Sequence, residues 1–254
     1  MLKFIKLIEK KEAENYANKV ISLKNSFKDY GETKYSILGA ASYANDQLSY
    51  KNIKNKINPL LNENFPDLLN IIKNKLSYIL NAECFFDENL SLPGFHIFYP
   101  NHVDACLPLT SLHIDLPYEL HEDYFKNKYS SIDFDFPLTF TLALRLPKTG
   151  GFLWYWDKDG WDKKTKENCY ELYDDIDEKY KSIFQDGDKT PTLKEYEEFL
   201  KPKRLIYEVG YLVLFRGNPL HQIGPFENPL DKDDLRITLQ GHGLFCDSKW
   251  ILYF

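Results

Sequence analysis

The sequence is poor in features that define several common protein classes. Its 254 residues contain no Cys-x-x-Cys pair, so the thiols fit isolated cysteines better than a disulfide framework or a zinc cluster. This usage predicts a reducing, cytoplasmic setting. No apolar run approaches the roughly 20 residues of a membrane helix, and charges interrupt residues 1–19, which predicts no signal peptide. The cysteines are Cys84, Cys106, Cys169 and Cys246.

The sequence also has fewer basic than acidic residues. The chain has 32 Lys and Arg residues against 38 Asp and Glu residues, a net charge of −6. A net negative protein repels phosphate backbones, so nucleic acid is a poor candidate partner. The lysine-rich residues 51–56 are the one candidate basic groove, and a solvated helix face is the simpler interpretation.

The pattern of apolar residues divides the chain into a helical part and a strand-rich part. From residue 2 to about residue 80, spacings of three and four predict two or three amphipathic helices. Beyond residue 81, about eight short segments have period two or are continuously apolar, with turn residues between them. Aromatic residues make up 16% of the chain. We therefore predict a mainly β, α+β fold, an antiparallel sandwich or jelly roll with flanking helices.

A single domain over residues 1–254 accommodates this plan. We assign residues 1–90 to an N-terminal helical support, and residues 92–156 and 204–254 to the jelly-roll core. Residues 157–203 are polar and charge-dense and form a helical insertion. A loop of this length often serves as a lid over a substrate, and a solvated decoration is the open alternative.

A histidine and a carboxylate lie two residues apart in one extended segment. His113 and Asp115 flank Ile114, and side chains two apart on a strand share a face. A buried carboxylate beside an imidazole needs a cation or hydrogen-bond donors to offset its desolvation. A metal ion would supply this, although a His-x-Asp sequence alone also arises by chance.

A second histidine could complete a metal site. His221 follows a strand and a turn that contains Gly217 and Pro219. Together with His113 and Asp115 it forms the two-histidine, one-carboxylate triad that leaves open positions on an octahedral iron(II) ion. Taken by itself, His221 is better explained as a histidine in a loop or at the rim of the fold.

An arginine lies beyond the second histidine. Arg236 and Thr238 are two apart in a strand segment and share a face. The guanidinium matches carboxylates in geometry, so this pair is suited to hold the distal carboxylate of a 2-oxoglutarate molecule. An exposed strand cation is the alternative interpretation of Arg236.

In this order the motifs resemble the iron(II)- and 2-oxoglutarate-dependent dioxygenases over roughly residues 92–245. The resemblance implies a double-stranded β-helix with cupin-like topology, and iron(II), 2-oxoglutarate and O2 as cofactor and cosubstrates. It assigns His113, Asp115 and His221 to iron, and Arg236 with Thr238 to 2-oxoglutarate. An arginine there is similar to the phytanoyl-CoA, taurine and free-amino-acid oxygenases, and the subfamily stays open.

Five further residues are weaker candidates. Tyr99 ends the strand before the His-x-Asp segment and could bond the cosubstrate carboxylate, or could simply pack in the core. Gln240 and His242 continue the face of Arg236 by period two and could line a substrate pocket. Arg145 in an apolar strand needs a carboxylate partner if buried, and Trp154 could form an apolar wall of the pocket.

Other histidines compete with the chosen ligands. His102 and Asp104 form a second His-x-Asp, which follows a turn signal and lacks strand character on both sides. His96 and His121 could each replace a ligand, but neither has the same relation to a strand and a downstream arginine.

The resemblance implies an oxygenase that hydroxylates an unactivated C–H bond of a small molecule and converts 2-oxoglutarate to succinate and CO2. Desaturation stays open, as do substrate identity and oligomeric state. The same core also supports a hydroxylase of protein or peptide residues, an AlkB-like nucleic-acid demethylase that the acidic balance disfavours, and a binding module without turnover.

Overall fold

The computed structural model describes residues 2–30, 35–100, 110, 112–116, 118–156, 174–179, 181–182, 192–217, 219–226 and 234–254. Within them the main helices are α1 (Lys10–Ser22), α2 (Gln47–Asn64), α3 (Pro66–Leu80), α4 (Glu122–Lys128) and α5 (Leu193–Leu200). The strands are β1 (Leu2–Lys6), β2 (Lys28–Tyr30), β3 (Tyr35–Leu38), β4 (Cys84–Phe86), β5 (Gly94–Phe98), β6 (Ile132–Arg145), β7 (Leu153–Trp156), β8 (Lys203–Leu205), β9 (Tyr211–Arg216), β10 (Leu220–Ile223), β11 (Arg236–Cys246) and β12 (Lys249–Tyr253).

A nine-stranded sheet is the larger layer of the protein, and β11 runs through its middle. The strand order is β1-β9-β6-β11-β5-β3-β2, and the second half of β11 pairs with β12, which pairs with β4. All of these pairs are antiparallel except that between β12 and β4. The antiparallel β fold with flanking helices that the sequence predicts is therefore confirmed.

The side chains of β11 alternate between the two faces of this sheet. Ile237 and Leu239 are fully buried in the main hydrophobic core on the outer face, where residues of α1, α2 and α3 also pack, among them Ala17, Leu61 and Ile72. The opposite, inner face carries the polar positions of β11. The helices thus act as a support behind the sheet, and none of the described helices has both the length and the apolar character to cross a membrane.

A second sheet of three strands, in the order β10-β7-β8, faces the inner side of the large sheet. A separate core cluster joins Val213 and Phe215 of the large sheet to Leu153 and Leu205 of the small one. Two facing antiparallel sheets with a shared interior are the jelly-roll arrangement. Polar inner-face residues therefore look into the space between the sheets.

The N-terminal part differs from the helical support predicted for residues 1–90. Residues 2–6 form β1, which pairs along the edge strand β9 with Leu2 opposite Phe215, and β2, β3 and β4 also lie in this part of the chain. These strands accompany α1, α2 and α3, which are the helices that the apolar spacing of residues 2–80 predicts. They form because backbone pairing in a sheet overrides weak local periodicity.

The described part of the insertion packs on the outer face of the small sheet. Helix α5 begins with a capping box, in which the Thr192 side chain accepts from the Glu195 backbone N–H and the Glu195 side chain accepts in return. Its Tyr196 and Leu200 are buried against Trp154 and Trp156 of β7. The lid assigned to residues 157–203 falls largely outside the described residues and stays a prediction.

A buried carboxylate ties the loop after β4 to α4. Asp87 is 4% exposed and accepts hydrogen bonds from Tyr124 (2.7 Å), Lys128 (2.6 Å), Tyr129 (3.0 Å) and the Asn89 backbone (2.9 Å). Burial alone would raise the pKa of Asp87, but the bonds from Lys128, Asn89 and Tyr124 outweigh it and lower the pKa to about 2.

We therefore expect Asp87 to make stability depend on acid pH. A carboxyl whose folded pKa is depressed stabilises the fold above its unfolded pKa, and this contribution is lost as the pH falls from about 4 towards about 2. The Asp87→Asn variant should be less stable at neutral pH and should lose less stability over that interval, measured by urea unfolding. The exposed Asp123→Asn should behave as the parent, and an unchanged acid profile in Asp87→Asn would contradict the assignment.

Candidate metal centre

The backbones of the two predicted histidine ligands are directly paired. His113 and His221 form an isolated antiparallel bridge, with N–H···O distances of 3.0 Å and 2.9 Å in the two directions. Their rings lie 4.3 Å apart between centroids. The bridge adds His113 to the small sheet on the edge of β10 that faces away from β7. It thereby brings together two residues that are far apart in the chain.

Asp115 completes the group. Its carboxylate lies 3.9 Å from His113 Nε2 and 3.6 Å from His221 Nε2. One ligand atom from each of the three residues lies within 4.8 Å of the other two. Asp115 and His221 are buried and His113 is partly exposed, so the group is set into the protein with one side open.

The ring orientation of His221 suits a metal ligand. Its Nδ1 lies 2.8 Å from the carbonyl oxygen of Pro219. A carbonyl oxygen can only accept, so Nδ1 carries the proton and donates it. A neutral His221 then presents the bare lone pair of Nε2 towards Asp115, which is the form that binds a metal ion.

The charge of Asp115 also fits a cation. Burial acts to raise the pKa of this carboxyl, but His221, His242, His113 and a hydrogen bond from Thr139 lower it to about 2. Among the described residues its ion-pair contacts are with the two imidazoles. A buried carboxylate beside two imidazole nitrogens is a set of donors that a divalent metal ion satisfies, and two histidines with one carboxylate suit non-heme iron(II).

Arg236 lies on the inner face of the large sheet and is 1% exposed. Its Nε donates to the Gly151 carbonyl oxygen (3.1 Å) and its Nη1 lies 3.4 Å from Thr238 Oγ1. Its Nη2 is buried, and no described residue accepts a hydrogen bond from it. Burial lowers the pKa of Arg236, and no carboxylate pairs with it in the described part of the chain, so the site is suited to an anionic ligand.

Gly151 makes the turn that reaches this arginine. Its φ is +65°, a left-handed conformation that glycine adopts without strain. A Cβ atom there would lie 2.8 Å from Pro147 Cγ and 3.4 Å from Arg236 Cδ. The absence of a side chain therefore lets the Gly151 carbonyl oxygen approach Arg236 closely enough to accept the hydrogen bond from Nε.

Two weaker candidates lie on the inner face, as period two predicts. His242 is fully buried and pairs in register with Thr139, and Gln240 is partly buried and pairs with Thr141. Their predicted role in a substrate pocket stays a prediction.

Tyr99 and Arg145 lie on the other face, and their predicted roles at the site were wrong. Tyr99 packs against the outer core and its hydroxyl lies 2.9 Å from Ser36 Oγ. Arg145 is opposite Ile237 across a register shift and donates to Asn18 Oδ1 of α1 (2.8 Å). A β-bulge reverses the face that simple alternation would give.

Trp154 was also assigned to the pocket, and the structure places it elsewhere. It stacks on Tyr196 with ring centroids 4.5 Å apart and donates from Nε1 to Glu197 Oε1 (2.6 Å). It therefore lies on the outer face of the small sheet, since its partner in register is Gln222 rather than His221.

The competing histidines do not join the metal centre in the described structure. His96 Nε2 is hydrogen-bonded to the Tyr43 hydroxyl, and burial, with a smaller effect of Arg236, lowers the His96 pKa to about 3. His121 is buried beside the Tyr50 ring. His102 and Asp104 lie outside the described residues.

Sequence reasoning missed two residues that contact the site. Thr139 donates to Asp115 Oδ2 (3.0 Å), and the Tyr207 ring packs 4.9 Å from the Arg236 guanidinium carbon. The alternation of β6 could have placed Thr139 on the inner face. No signal in the sequence indicates Tyr207, which lies between β8 and β9.

Comparison with family models and with curated proteins gives no match. Among solved structures, the chain is similar to an N-substituted L-amino acid dioxygenase from Burkholderia ambifaria AMMD in complex with alpha-KG, with a TM-score of 0.51 and 12% identity. The alignment covers 100% of this chain and 86% of that chain. The chain has the fold of the iron(II)- and 2-oxoglutarate-dependent dioxygenases.

A second structure of an N-substituted L-amino acid dioxygenase from that organism gives a TM-score of 0.52 at 11% identity, again over 100% of this chain and 86% of that one. Identity this low establishes the dioxygenase fold and no more. The functional argument for this chain therefore depends on its own side chains.

We expect Asp115→Asn to weaken divalent metal binding strongly. The amide keeps the shape of the carboxylate but removes the one negative charge among the three donors. Titration with Mn²⁺, followed by the loss of the free-ion EPR signal, measures the affinity. Asp67→Asn, an exposed change on α3, should bind as the parent, and equal Mn²⁺ affinity in both variants would exclude this centre.

Proposed function

We propose that the protein is an iron(II)- and 2-oxoglutarate-dependent oxygenase that hydroxylates an unactivated C–H bond of a small molecule. The observation that carries the proposal is the convergence of His113, Asp115 and His221, with donor atoms within 4.8 Å of one another. When bound there, iron(II) would supply the activation of O2 that is coupled to conversion of 2-oxoglutarate to succinate and CO2.

In this proposal the chain's own residues bind and orient. His113, Asp115 and His221 hold the metal ion from one side and leave the side next to the partly exposed His113 accessible. Apolar residues between the facing sheets, among them Val213 and Phe215, would exclude water from the interior. Exclusion of water and a fixed substrate position are what selectivity in such an oxidation requires.

Arg236 is the proposed anchor for the cosubstrate. Its unpaired Nη2 and its neighbour Thr238 offer donors to the distal carboxylate of 2-oxoglutarate. Anion binding would also offset the desolvation of the guanidinium, which pairs with no carboxylate among the residues that the structure describes.

A small-molecule substrate is favoured over a protein or peptide residue. The two similar structures described above, with TM-scores of 0.51 and 0.52, are both of an N-substituted L-amino acid dioxygenase, which supports a small substrate. A binding module without turnover has no need for three metal donors together with a buried arginine that pairs with none of the described carboxylates. Desaturation at the same site is a second outcome, and the products of the reaction distinguish it from hydroxylation.

The proposal predicts succinate release that requires both iron(II) and 2-oxoglutarate. The reaction can be followed by succinate analysis and oxygen consumption, first with 2-oxoglutarate alone, since slow uncoupled turnover needs no substrate, and then with pools of small molecules. A chelator and the His221→Ala variant should each abolish it. Iron uptake without any succinate, across broad substrate pools, would favour the binding module.

We expect Arg236→Lys to raise the KM for 2-oxoglutarate at least tenfold, because a lysine cannot form the paired bonds of the guanidinium. The effect on kcat should be smaller. Arg145→Lys is a matched control, since that arginine lies on the outer face and bonds to Asn18. An equal KM for both variants would show that Arg236 is not the anchor.

A further inference from the structure

The carboxylate ligand is held by a buried chain of hydrogen bonds that the proposed reaction does not explain. Residues 114–116 lie outside the regular strands, so the sheet ladder does not fix the Asp115 side chain. Thr139 Oγ1 lies 3.0 Å from Asp115 Oδ2 and 3.1 Å from His242 Nδ1. All three residues are buried, with exposures of 8%, 2% and 0% for Asp115, Thr139 and His242.

The direction of each bond follows from the chemistry of the groups. The Thr139 hydroxyl donates to Asp115 Oδ2. Its single proton is then used, so its oxygen accepts from His242, and Nδ1 of that ring carries the proton that it donates.

The fold provides this chain through strand register. Thr139 and His242 are directly opposite each other on β6 and β11, and both point to the inner face. Thr139 rotates little about χ1, as a β-branched residue in a strand, and His242 removes the freedom of its hydroxyl. The two central strands of the large sheet thus fix a donor at the carboxylate, which lies on a segment outside the sheet.

We propose that Thr139, locked by His242, is a positioning residue that sets the rotation of the Asp115 carboxylate and keeps it from binding the metal ion through both oxygens. The inference rests on the proposed metal centre. Because Oδ2 already accepts a bond from Thr139, binding of an ion through both oxygens would compete with that bond, and the carboxylate would hold the ion through one oxygen. A two-oxygen ligand would occupy a position that a three-residue centre must leave open.

Thr139→Val is the direct test, because valine keeps the shape of threonine and lacks the hydroxyl. Loss of such an outer hydrogen bond typically costs roughly 10- to 100-fold in metal affinity, and we expect a loss in that range for Mn²⁺. The absorption spectrum of the Co²⁺ form should also change, as the carboxylate adds its second oxygen. Thr139→Ser restores the hydroxyl and should recover both readouts.

The control lies two residues further along the same strand. Thr141 has the same face and similar burial and no hydrogen bond to Asp115. Thr141→Val should bind Mn²⁺ with parental affinity and give the parental Co²⁺ spectrum. Thermal unfolding of the metal-free variants, which we expect to remain folded, separates loss of the ligand from loss of the fold.

His242 gives an independent check of the bond direction. An asparagine amide N–H can replace Nδ1–H, whereas a glutamine places its amide where Nε2 was. His242→Asn should therefore keep more of the Mn²⁺ affinity than His242→Gln. The reverse order, or equal affinities, would overturn the assigned proton arrangement.

Metal binding by the parent chain and the positioning role of Thr139 are tested by different outcomes. If the parent chain binds neither Mn²⁺ nor Co²⁺, the metal centre itself is wrong. If the parent binds both, and Thr139→Val matches it in affinity and spectrum, the positioning role is wrong and the proposed function stands.

Discussion

The pair of backbone hydrogen bonds between His113 and His221 is the contact on which the whole candidate centre depends. It ties the segment that carries Asp115 to the end strand of the small sheet. Side-chain geometry at a metal site must be held within fractions of an ångström, and a backbone bridge meets that demand better than side-chain packing alone. Thr139, Arg236, Thr238 and His242 are placed relative to this junction by the strands β6 and β11 of the large sheet.

The two faces of the large sheet have different roles, one in stability and one at the candidate site. Its outer face buries Leu239, Phe140 and other apolar residues against the helices, and this burial supplies the driving force for folding. Its inner face carries Arg236, Thr238 and His242, which cost free energy to desolvate. The apolar face stabilises a strand whose other face is polar, so one element serves both stability and chemistry.

Period-two alternation describes Arg236 and Thr238, which share the inner face of the regular strand β11. His113 and Asp115 also come together, but their segment is paired only at His113, so strand alternation is not the reason. The period-two prediction failed for Tyr99 and Arg145 because alternation gives the relation between neighbours but not which face is inside, and because a bulge in β6 shifts the register. Thr139 was missed because a threonine in an apolar strand looks like any β-forming residue until its partner across space is known.

The contacts on the outer surface of the small sheet affect how the protein tolerates substitutions in α5. Tyr196 of α5 bonds to Gln222, the residue next to His221, and Gln222 also donates to the Thr110 carbonyl oxygen (2.9 Å), close to His113. A substitution in α5 that displaces Tyr196 would therefore also shift Gln222, which adjoins the backbone bridge between His113 and His221. The polar helix α5 is thus part of the support of the candidate centre and not a separate decoration.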